Sequence, residues 1–276
     1  MSRLRISAIS YLNTAPLMWD FEHGSAGRDF DISYTVPSAC ARALAAGTAD
    51  IGIIPAAAYT TISNLVIIPD VAIAARQPVR SILLVSRKPL EEVRTVALDA
   101  SSMTSVALTK IIFAKWLGGP REYVSAEPVL ETMLAASDAA LLIGDPALQV
   151  DRSRYETLDL AEEWVARTGK PFVFAFWAVR KEALAGHDPA KVAKAFQNSR
   201  DHGLVPENLA RICAEWAPRL CLSESVVRTY LTENIYYQLD PACLEGLRLF
   251  YKLGNDVGAL PEPPALLSLD ASSPLA

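Results

Sequence analysis

The chain has 276 residues, a length that indicates two domains or one domain built from two lobes. Hydrophobic residues make up 51% of it and charged residues 21%, so a large core is available and general disorder is excluded. The formal charge of -5 argues against a nucleic-acid-binding protein, which usually carries a basic surface. It leaves room for a local pocket that binds a small anion.

The start of the chain does not resemble a secretory signal, because Met1–Arg5 leads directly into a predicted strand without an apolar segment. The longest apolar runs, among them Ala139–Ile143 and Phe172–Val179, are too short to span a bilayer. The cysteines show no spacing typical of a metal site or a disulfide framework; they are Cys40, Cys213, Cys221 and Cys243. We therefore expect a cytoplasmic protein with reduced thiols and no membrane segment.

Short β-branched runs alternate with helical patterns over the first half of the chain, as in βαβ units built on parallel strands. Helices are predicted over Ala15–Glu22 and Ala39–Ala46, and Ser38 can cap the start of the second. The predicted strands are Leu4–Ala8, Phe30–Val36, Ile51–Ile54, Val66–Pro69 and Ser81–Val85.

A second α/β unit begins near Val93, and the chain becomes mostly helical after Arg180. The predicted strands of this unit are Thr95–Leu98, Glu122–Ser125, Ala140–Ile143, Glu156–Leu160 and Phe172–Val179. Its predicted helices are Thr104–Leu117, Val129–Ala136 and Ala161–Arg167. The helices predicted beyond it are Pro189–His202, Pro206–Trp216 and Ser223–Leu239.

Two uninterrupted apolar strands flank the middle unit, and we expect them to cross between two lobes. They are Ser81–Val85 and Phe172–Val179. The first lobe would then comprise residues 1–85 and 180–276, and the second lobe residues 86–179. Two α/β lobes joined in this way leave a cleft at the carboxyl ends of the strands, where open α/β sheets bind their ligands.

Polar residues follow several predicted strands at the ends where this cleft should open. Asn13, directly after the first strand, offers both a hydrogen-bond donor and an acceptor, and Pro16 suits the first turn of a helix. Asn13 could equally belong to a simple turn, and Ser38 could be only a helix cap. Ser86 ends a predicted crossing strand and would face the cleft if the lobes are assigned correctly.

A cluster of hydroxyl groups precedes the helix predicted over Thr104–Leu117. It consists of Ser101, Ser102, Thr104 and Ser105. Free backbone N–H groups and the helix dipole make such a helix start a binding site for anions, carboxylates included. A cap alone needs one of these hydroxyls, so the surplus keeps a binding role open beside the capping role.

Asp145 follows the strand predicted over Ala140–Ile143 and precedes Pro146. Its carboxylate could orient a ligand hydroxyl, accept a proton, or cap the helix that begins with the proline. The sequence does not favour one of these roles over the others.

Sequence motifs for phosphate, dinucleotide, serine-hydrolase and zinc-protease chemistry do not occur in the chain. The histidines, at His23, His187 and His202, lie away from the polar clusters and are interpreted as surface or helix-end residues. Metal and nucleotide chemistry therefore have no support in the sequence. Hydroxyls, one amide, backbone N–H groups and one carboxylate are suited to holding a small polyoxygenated anion.

Several segments in the first two thirds of the chain resemble the chorismate dehydratase family of the futalosine route to menaquinone. They are Ile6–Leu17, Pro37–Cys40, Ala49–Pro55, Ser101–Val106, Ile143–Leu148 and Trp164–Trp177. The resemblance covers most of residues 4–180 in the same order. It implies a type 2 periplasmic-binding-protein fold used as a cytoplasmic lyase that needs no metal or cofactor. The oligomeric state stays open.

Two alternatives accompany this resemblance. The sister family that makes 1,4-dihydroxy-6-naphthoate shares the fold and a hydroxyl pair like Thr104-Ser105, but carries a catalytic histidine near the position of Gly144-Asp145. The absence of histidine there favours the dehydratase. A non-enzymatic solute receptor is the other alternative, and the missing signal sequence weakens it.

The resemblance also implies a substrate, and for its conversion we assign roles to the candidate residues as a hypothesis. Chorismate, a small dianion, would lose its C4 hydroxyl and C3 hydrogen as water, which leaves aromatic 3-(1-carboxyvinyloxy)benzoate. Thr104 and Ser105 would bind a carboxylate, Asn13 would bind the C4 hydroxyl, and Ser38 and Ser86 would orient the substrate. The proton acceptor would be either Asp145 or the enolpyruvyl carboxylate of the substrate itself.

Overall fold

The computed structural model describes residues 3–269, and within them the strands form two five-stranded sheets. The strands are β1 (Leu4–Ile9), β2 (Phe30–Thr35), β3 (Ile51–Pro55), β4 (Leu65–Ala75), β5 (Ile82–Ser86), β6 (Thr95–Asp99), β7 (Glu122–Ala126), β8 (Ala139–Ile143), β9 (Glu156–Asp159) and β10 (Phe172–Arg180). The helices are α1 (Trp19–His23), α2 (Pro37–Ala45), α3 (Thr104–Trp116), α4 (Leu130–Ala136), α5 (Gly144–Leu148), α6 (Leu160–Thr168), α7 (Pro189–Gly203), α8 (Pro206–Leu220), α9 (Glu224–Thr229) and α10 (Pro241–Asp256).

The first sheet has the strand order β2-β1-β3-β10-β4. Strands β1, β2 and β3 run parallel, and β10 runs antiparallel to both of its neighbours. Every residue of Ile51–Pro55 is buried, as expected for a central strand that helices cover on both faces. Because β1 and β3 are parallel, their carboxyl ends lie at the same edge of the sheet.

The second sheet has the strand order β7-β6-β8-β5-β9, with β6, β7 and β8 parallel. Strand β5 runs antiparallel to β8, so that Ile82 lies opposite Ile143 and Ser86 lies opposite Ala139. The start of β5 therefore lies beside the carboxyl end of β8, and its end lies at the far edge. From here on, the first lobe is the part of the chain built on the sheet of β1–β4 and β10, and the second lobe is the part built on the sheet of β5–β9.

The two-lobed α/β arrangement is confirmed, but the expected borders at residues 85 and 180 are wrong. Strand β5 lies wholly in the second sheet and β10 wholly in the first. The chain passes between the sheets before β5, after β4 ends at Ala75, and again between β9 and β10. Uninterrupted apolar strands mark fully buried sheet positions rather than crossings. Residues 1–2 and 270–276 of the expected first lobe lie outside the described residues.

Two predictions for helices are wrong. In place of a helix over Ala15–Glu22, a 3-10 turn spans Leu12–Met18 and only α1 is α-helical, because Pro16 interrupts the segment. In place of one helix over Ser223–Leu239, α9 continues into a π-helical turn at Tyr230–Asn234 and then an extended segment. Helix α10 was not predicted; it starts at Pro241 behind an Asp240 cap and packs on β10 and α3.

Helix α7 supports the turn that follows β1. Its last residue, Gly203, lies directly against Pro16, and a Cβ there would come within 2.1 Å of the Pro16 carbonyl oxygen. Ser199 of the same helix also contacts this segment, since its hydroxyl accepts the N–H of Asp20 at 2.9 Å. The C-terminal helices thus fix the loop that carries Asn13.

Along residues 3–269, no helix combines the length and apolar character needed to cross a membrane.

Candidate active site

A cavity of about 50 Å³ lies between the lobes, at the carboxyl ends of β1, β3 and β8. Four of the predicted site residues line it, namely Asn13, Ser102, Thr104 and Ser105. The polar clusters therefore meet at one place, as expected from their positions after the strands.

Asn13 is held in the cavity wall by its neighbour Thr14 and by Tyr237, which is distant in sequence. The Tyr237 hydroxyl donates to the Asn13 carbonyl at 3.0 Å, and the Thr14 hydroxyl donates to Asn13 Oδ1 at 3.3 Å. The buried Tyr230 hydroxyl donates to the Ser81 hydroxyl at 2.8 Å, and burial raises the pKa of Tyr230 well above its ordinary value although Asn13 lowers it. Asn13 is 9% exposed, so its amide faces a nearly enclosed space.

Ser38 does not cap α2, because the helix begins one residue earlier at Pro37 and Val36 is its N-cap. Its N–H donates to the Ser101 carbonyl at 3.1 Å, which joins the first lobe to the second. The Arg42 guanidinium donates to the Ser38 hydroxyl at 3.3 Å. Arg42 was not predicted, although its position one turn after Ser38 places a cation beside the predicted anion site.

Ser101 and Ser102 precede α3 without capping it, since Met103 is the N-cap and makes no side-chain cap bond. The Ser101 N–H and hydroxyl both donate to Asp99 Oδ1, at 2.8 Å and 2.6 Å. Asp99 is 1% exposed, and burial raises its pKa. Asp99 was missed, although a carboxylate at the end of a predicted strand next to a hydroxyl cluster was a usable signal.

Thr104 and Ser105 both line the cavity, but their hydroxyls are not equivalent. The Thr104 hydroxyl donates to the Phe174 carbonyl at 3.0 Å and accepts the Ala57 N–H at 3.1 Å. Its single proton is therefore used in a contact with the first lobe. The first turn of the 13-residue α3 still offers backbone N–H groups and the positive end of the helix dipole to an anion.

Gly144 and Asp145 contact the loop after β1. Gly144 has a φ of +62°, and a Cβ there would lie 2.6 Å from the Tyr11 ring. Asp145 Oδ1 accepts the Leu12 N–H at 3.0 Å. Burial raises the pKa of Asp145 to about 6, although the hydrogen bond from Leu12 lowers it. Asp145 lies inside the first turn of α5 rather than at its N-cap, Ile143, so the capping role is wrong.

Ser86 does not lie at the cavity, and the expectation that it faces the cleft is wrong. It is fully buried at the far end of β5, where its hydroxyl bonds the carbonyl oxygens of Lys88 and Asp138 at 2.8 Å and 3.2 Å. The expectation assumed that β5 runs towards the cleft, whereas its antiparallel pairing with β8 reverses that direction. The role of Ser86 in orienting a substrate is therefore withdrawn.

The histidines lie elsewhere, as predicted. His23 packs on the Trp19 ring, with ring centroids 4.2 Å apart, and His202 pairs with Asp20 at 2.8 Å. His187 follows the short helical turn at Lys181–Leu184. The wall described above consists instead of hydroxyls, an amide, backbone N–H groups and apolar side chains, a donor set suited to a small oxygen-rich anion.

A family model for menaquinone biosynthesis matches residues 4–256 of the chain. The chain belongs to this family. A family relative from Thermus thermophilus, named chorismate dehydratase, is 31% identical over 258 residues, which are 87% of this chain and 91% of that protein. A second protein of that name, from Campylobacter jejuni, is 29% identical over 187 residues, or 66% of each protein.

Comparison with solved structures confirms the predicted periplasmic-binding-protein fold. The alkanesulfonate-binding protein of Xanthomonas axonopodis pv. citri, bound to MOPS, matches with a TM-score of 0.69 at 17% identity, over 95% of both chains. The periplasmic aliphatic sulphonate binding protein of Escherichia coli matches with a TM-score of 0.65 at 15% identity, again over 95% of both. At such identities the likeness shows the fold alone.

Proposed function

We propose that this member of the menaquinone biosynthesis family is a chorismate dehydratase, a hydro-lyase that converts chorismate to enolpyruvyl-benzoate and water. The observation that carries the proposal is the match to the Thermus thermophilus chorismate dehydratase over 87% of the chain. The cavity supports it, because Asn13, in the turn after β1, and Ser105, at the start of α3, both line it and provide donors for a small carboxylate-bearing substrate.

The reaction removes the C3 hydrogen as a proton and the C4 hydroxyl as the leaving group, and the electron pair left at C3 completes the aromatic ring. The C3 hydrogen is conjugated through the ring alkene to a carboxylate, which permits an anionic intermediate. The protein then has to hold the carboxylates, assist the leaving hydroxyl and exclude water. We assign the carboxylate to Ser105 and the N–H groups of α3, and the C4 hydroxyl to Asn13.

The proton acceptor in this proposal is the enolpyruvyl carboxylate of the substrate. A base tethered near the C3 hydrogen has a large effective concentration and needs no histidine. The Asp145 carboxylate, the other candidate, instead contacts the backbone of the opposite lobe. The direct Ser38–Ser101 contact between the lobes supports a closed site that keeps water out and restrains the substrate side chain.

The test is to give the purified chain chorismate alone, after treatment with a chelator, and to follow the ultraviolet absorbance of the aromatic product. We expect complete conversion to enolpyruvyl-benzoate at a rate that the chelator does not change. A parallel assay supplies cyclic dehypoxanthine futalosine, the substrate of the sister family. If this compound is consumed while chorismate survives, the chain has the activity of the sister family. Tight binding of chorismate without turnover would identify a solute receptor.

A further inference from the structure

The loop after β1 reaches across the cleft and rests on the second lobe. The Tyr11 ring lies so close to Gly144 that a Cβ on this glycine would come within 2.6, 2.7 and 3.1 Å of three ring carbons. The φ of +62° at Gly144 is a second reason why a side chain is disfavoured there. The ring therefore sits directly on the backbone where β8 ends.

Asp145 fixes the next residue of the same loop. Its Oδ1 accepts the Leu12 N–H at 3.0 Å, across 133 residues of sequence. On the other side of Asn13, the Tyr237 hydroxyl donates to the Asn13 carbonyl at 3.0 Å, across 224 residues. The peptide between Tyr11 and Leu12 and the peptide that follows Asn13 are thus both held by side chains from distant parts of the chain.

We propose that Asp145 is a positioning residue for the dehydratase reaction, which acts by holding the Leu12 peptide so that the Asn13 amide meets the leaving hydroxyl. Gly144 cooperates with it by leaving room for Tyr11. The inference rests on the proposed function, because Asn13 acts there on the C4 hydroxyl. It makes Asp145 a hydrogen-bond acceptor whose work does not require proton transfer.

Substitution at Asp145 separates an acceptor from a base. Asp145→Asn keeps an oxygen that can accept the Leu12 N–H, whereas Asp145→Ala removes it. We expect Asp145→Asn to keep kcat and KM within about threefold of the parent, and Asp145→Ala to lose on the order of 10²-fold, mainly in kcat, as misplaced catalytic groups do. Equal, thousandfold losses in both variants would overturn the proposal and make Asp145 the base.

A double-mutant cycle tests whether Asp145 acts through Asn13. In an Asn13→Ala background the positioned amide is absent, so adding Asp145→Ala should lower kcat by less than about threefold more. Losses that multiply would mean that the two residues act independently, which contradicts the proposal. Gly144→Ala should reproduce the kcat loss of Asp145→Ala, because the added methyl group displaces Tyr11 from its seat.

The matched control is Asp138, which accepts the N–H groups of Arg94 and Thr95 at 2.8 Å and 3.0 Å at the opposite end of β8. Asp138→Ala should lower the melting temperature and leave kcat unchanged.

Amide hydrogen exchange gives a readout that does not need turnover. If the parent fails to convert chorismate, the proposed function fails, yet faster exchange at Leu12 and Asn13 in Asp145→Ala than in Asp145→Asn still supports the positioning contact. Equal exchange in both contradicts it.

Discussion

Adjacent hydroxyls at the start of α3 divide into one that joins the lobes and one that faces the cavity. The Thr104 hydroxyl uses its proton on the Phe174 carbonyl and accepts the Ala57 N–H, so both of its bonds go to the first lobe. Ser105 is also buried in the cavity wall, but its hydroxyl does not make these hydrogen bonds to the first lobe. A carboxylate needs donors, and a hydroxyl has only one proton to donate. Ser105 is therefore the better substrate ligand of the pair.

This division predicts different losses for two matched variants. Thr104→Val keeps the side-chain shape but leaves the Phe174 carbonyl and the Ala57 N–H without their partner, which costs about 1–3 kcal/mol of stability. Ser105→Ala should leave the melting temperature near that of the parent and raise KM for chorismate by roughly tenfold, as expected for one lost hydrogen bond to a charged group. Thermal unfolding and steady-state kinetics would measure both. A larger KM effect in Thr104→Val would contradict the division.

The residues that sequence reasoning found and missed at the site differ in what identifies them. Asn13, Ser102, Thr104 and Ser105 were found because a polar residue after a strand is a local signal. Asp99 holds a hydroxyl only two residues away, and its position after a predicted strand was a local signal that was overlooked. Tyr11 was missed because its role depends on a glycine in the other lobe. Local patterns place such residues near the site but do not reveal what they contact.

Strand direction explains the error at Ser86. The sequence predicts a strand over Ser81–Val85 correctly, since β5 spans Ile82–Ser86. It contains no local information on which end of the strand meets the cleft, because parallel and antiparallel pairing depend on the partner strand. In the structure Ile82 lines the cavity, and Ser86 is at the other end of the same strand.

The position of Ser86 predicts a variant that affects folding only. Its hydroxyl bonds the Lys88 and Asp138 carbonyls and accepts the Lys88 N–H at 3.1 Å, which fixes the turn after β5. Ser86→Ala should destabilise the fold by about 1–2 kcal/mol and leave kcat and KM for chorismate unchanged. Denaturant unfolding beside an activity assay checks this. A loss of turnover at full thermal stability would restore the substrate role that the structure removes.

At the scale of the whole molecule, groups of the candidate site also hold the lobes together. Leu12 bonds Asp145, Ser38 bonds Ser101, and Ala57 and Phe174 both bond Thr104, each pair crossing from one lobe to the other. The contacts that assemble the site are therefore also contacts that hold the two lobes together. The lobe count was predictable from length and βαβ pattern, whereas these crossing contacts depend on tertiary structure.

Joining the lobes through a buried carboxylate makes stability depend on pH. Burial raises the pKa of Asp145 from an ordinary value of 3.8 to about 6 in the folded chain. Between these values the folded state binds more protons than the unfolded state, so this group's contribution to stability falls as pH rises from about 4 to 6. Above that range the folded chain bears the cost of a buried charge.

Removing the charge should therefore stabilise the chain, but only at higher pH. At pH 8 the gain in the free energy of unfolding should be roughly 1–3 kcal/mol, which raises the melting temperature of Asp145→Asn by at least about 2 °C over the parent. Near pH 4 the two proteins should melt at nearly the same temperature. Asp138→Asn is the opposite control, because the Lys88 ammonium and the Arg94 N–H hold the pKa of Asp138 below its ordinary range. That variant should melt below the parent at neutral pH, and the difference should shrink as the pH falls below about 4. Calorimetry across this range decides the point: an Asp145→Asn variant that loses more stability at pH 8 than at pH 4 would mean that the folded chain favours the charged carboxylate.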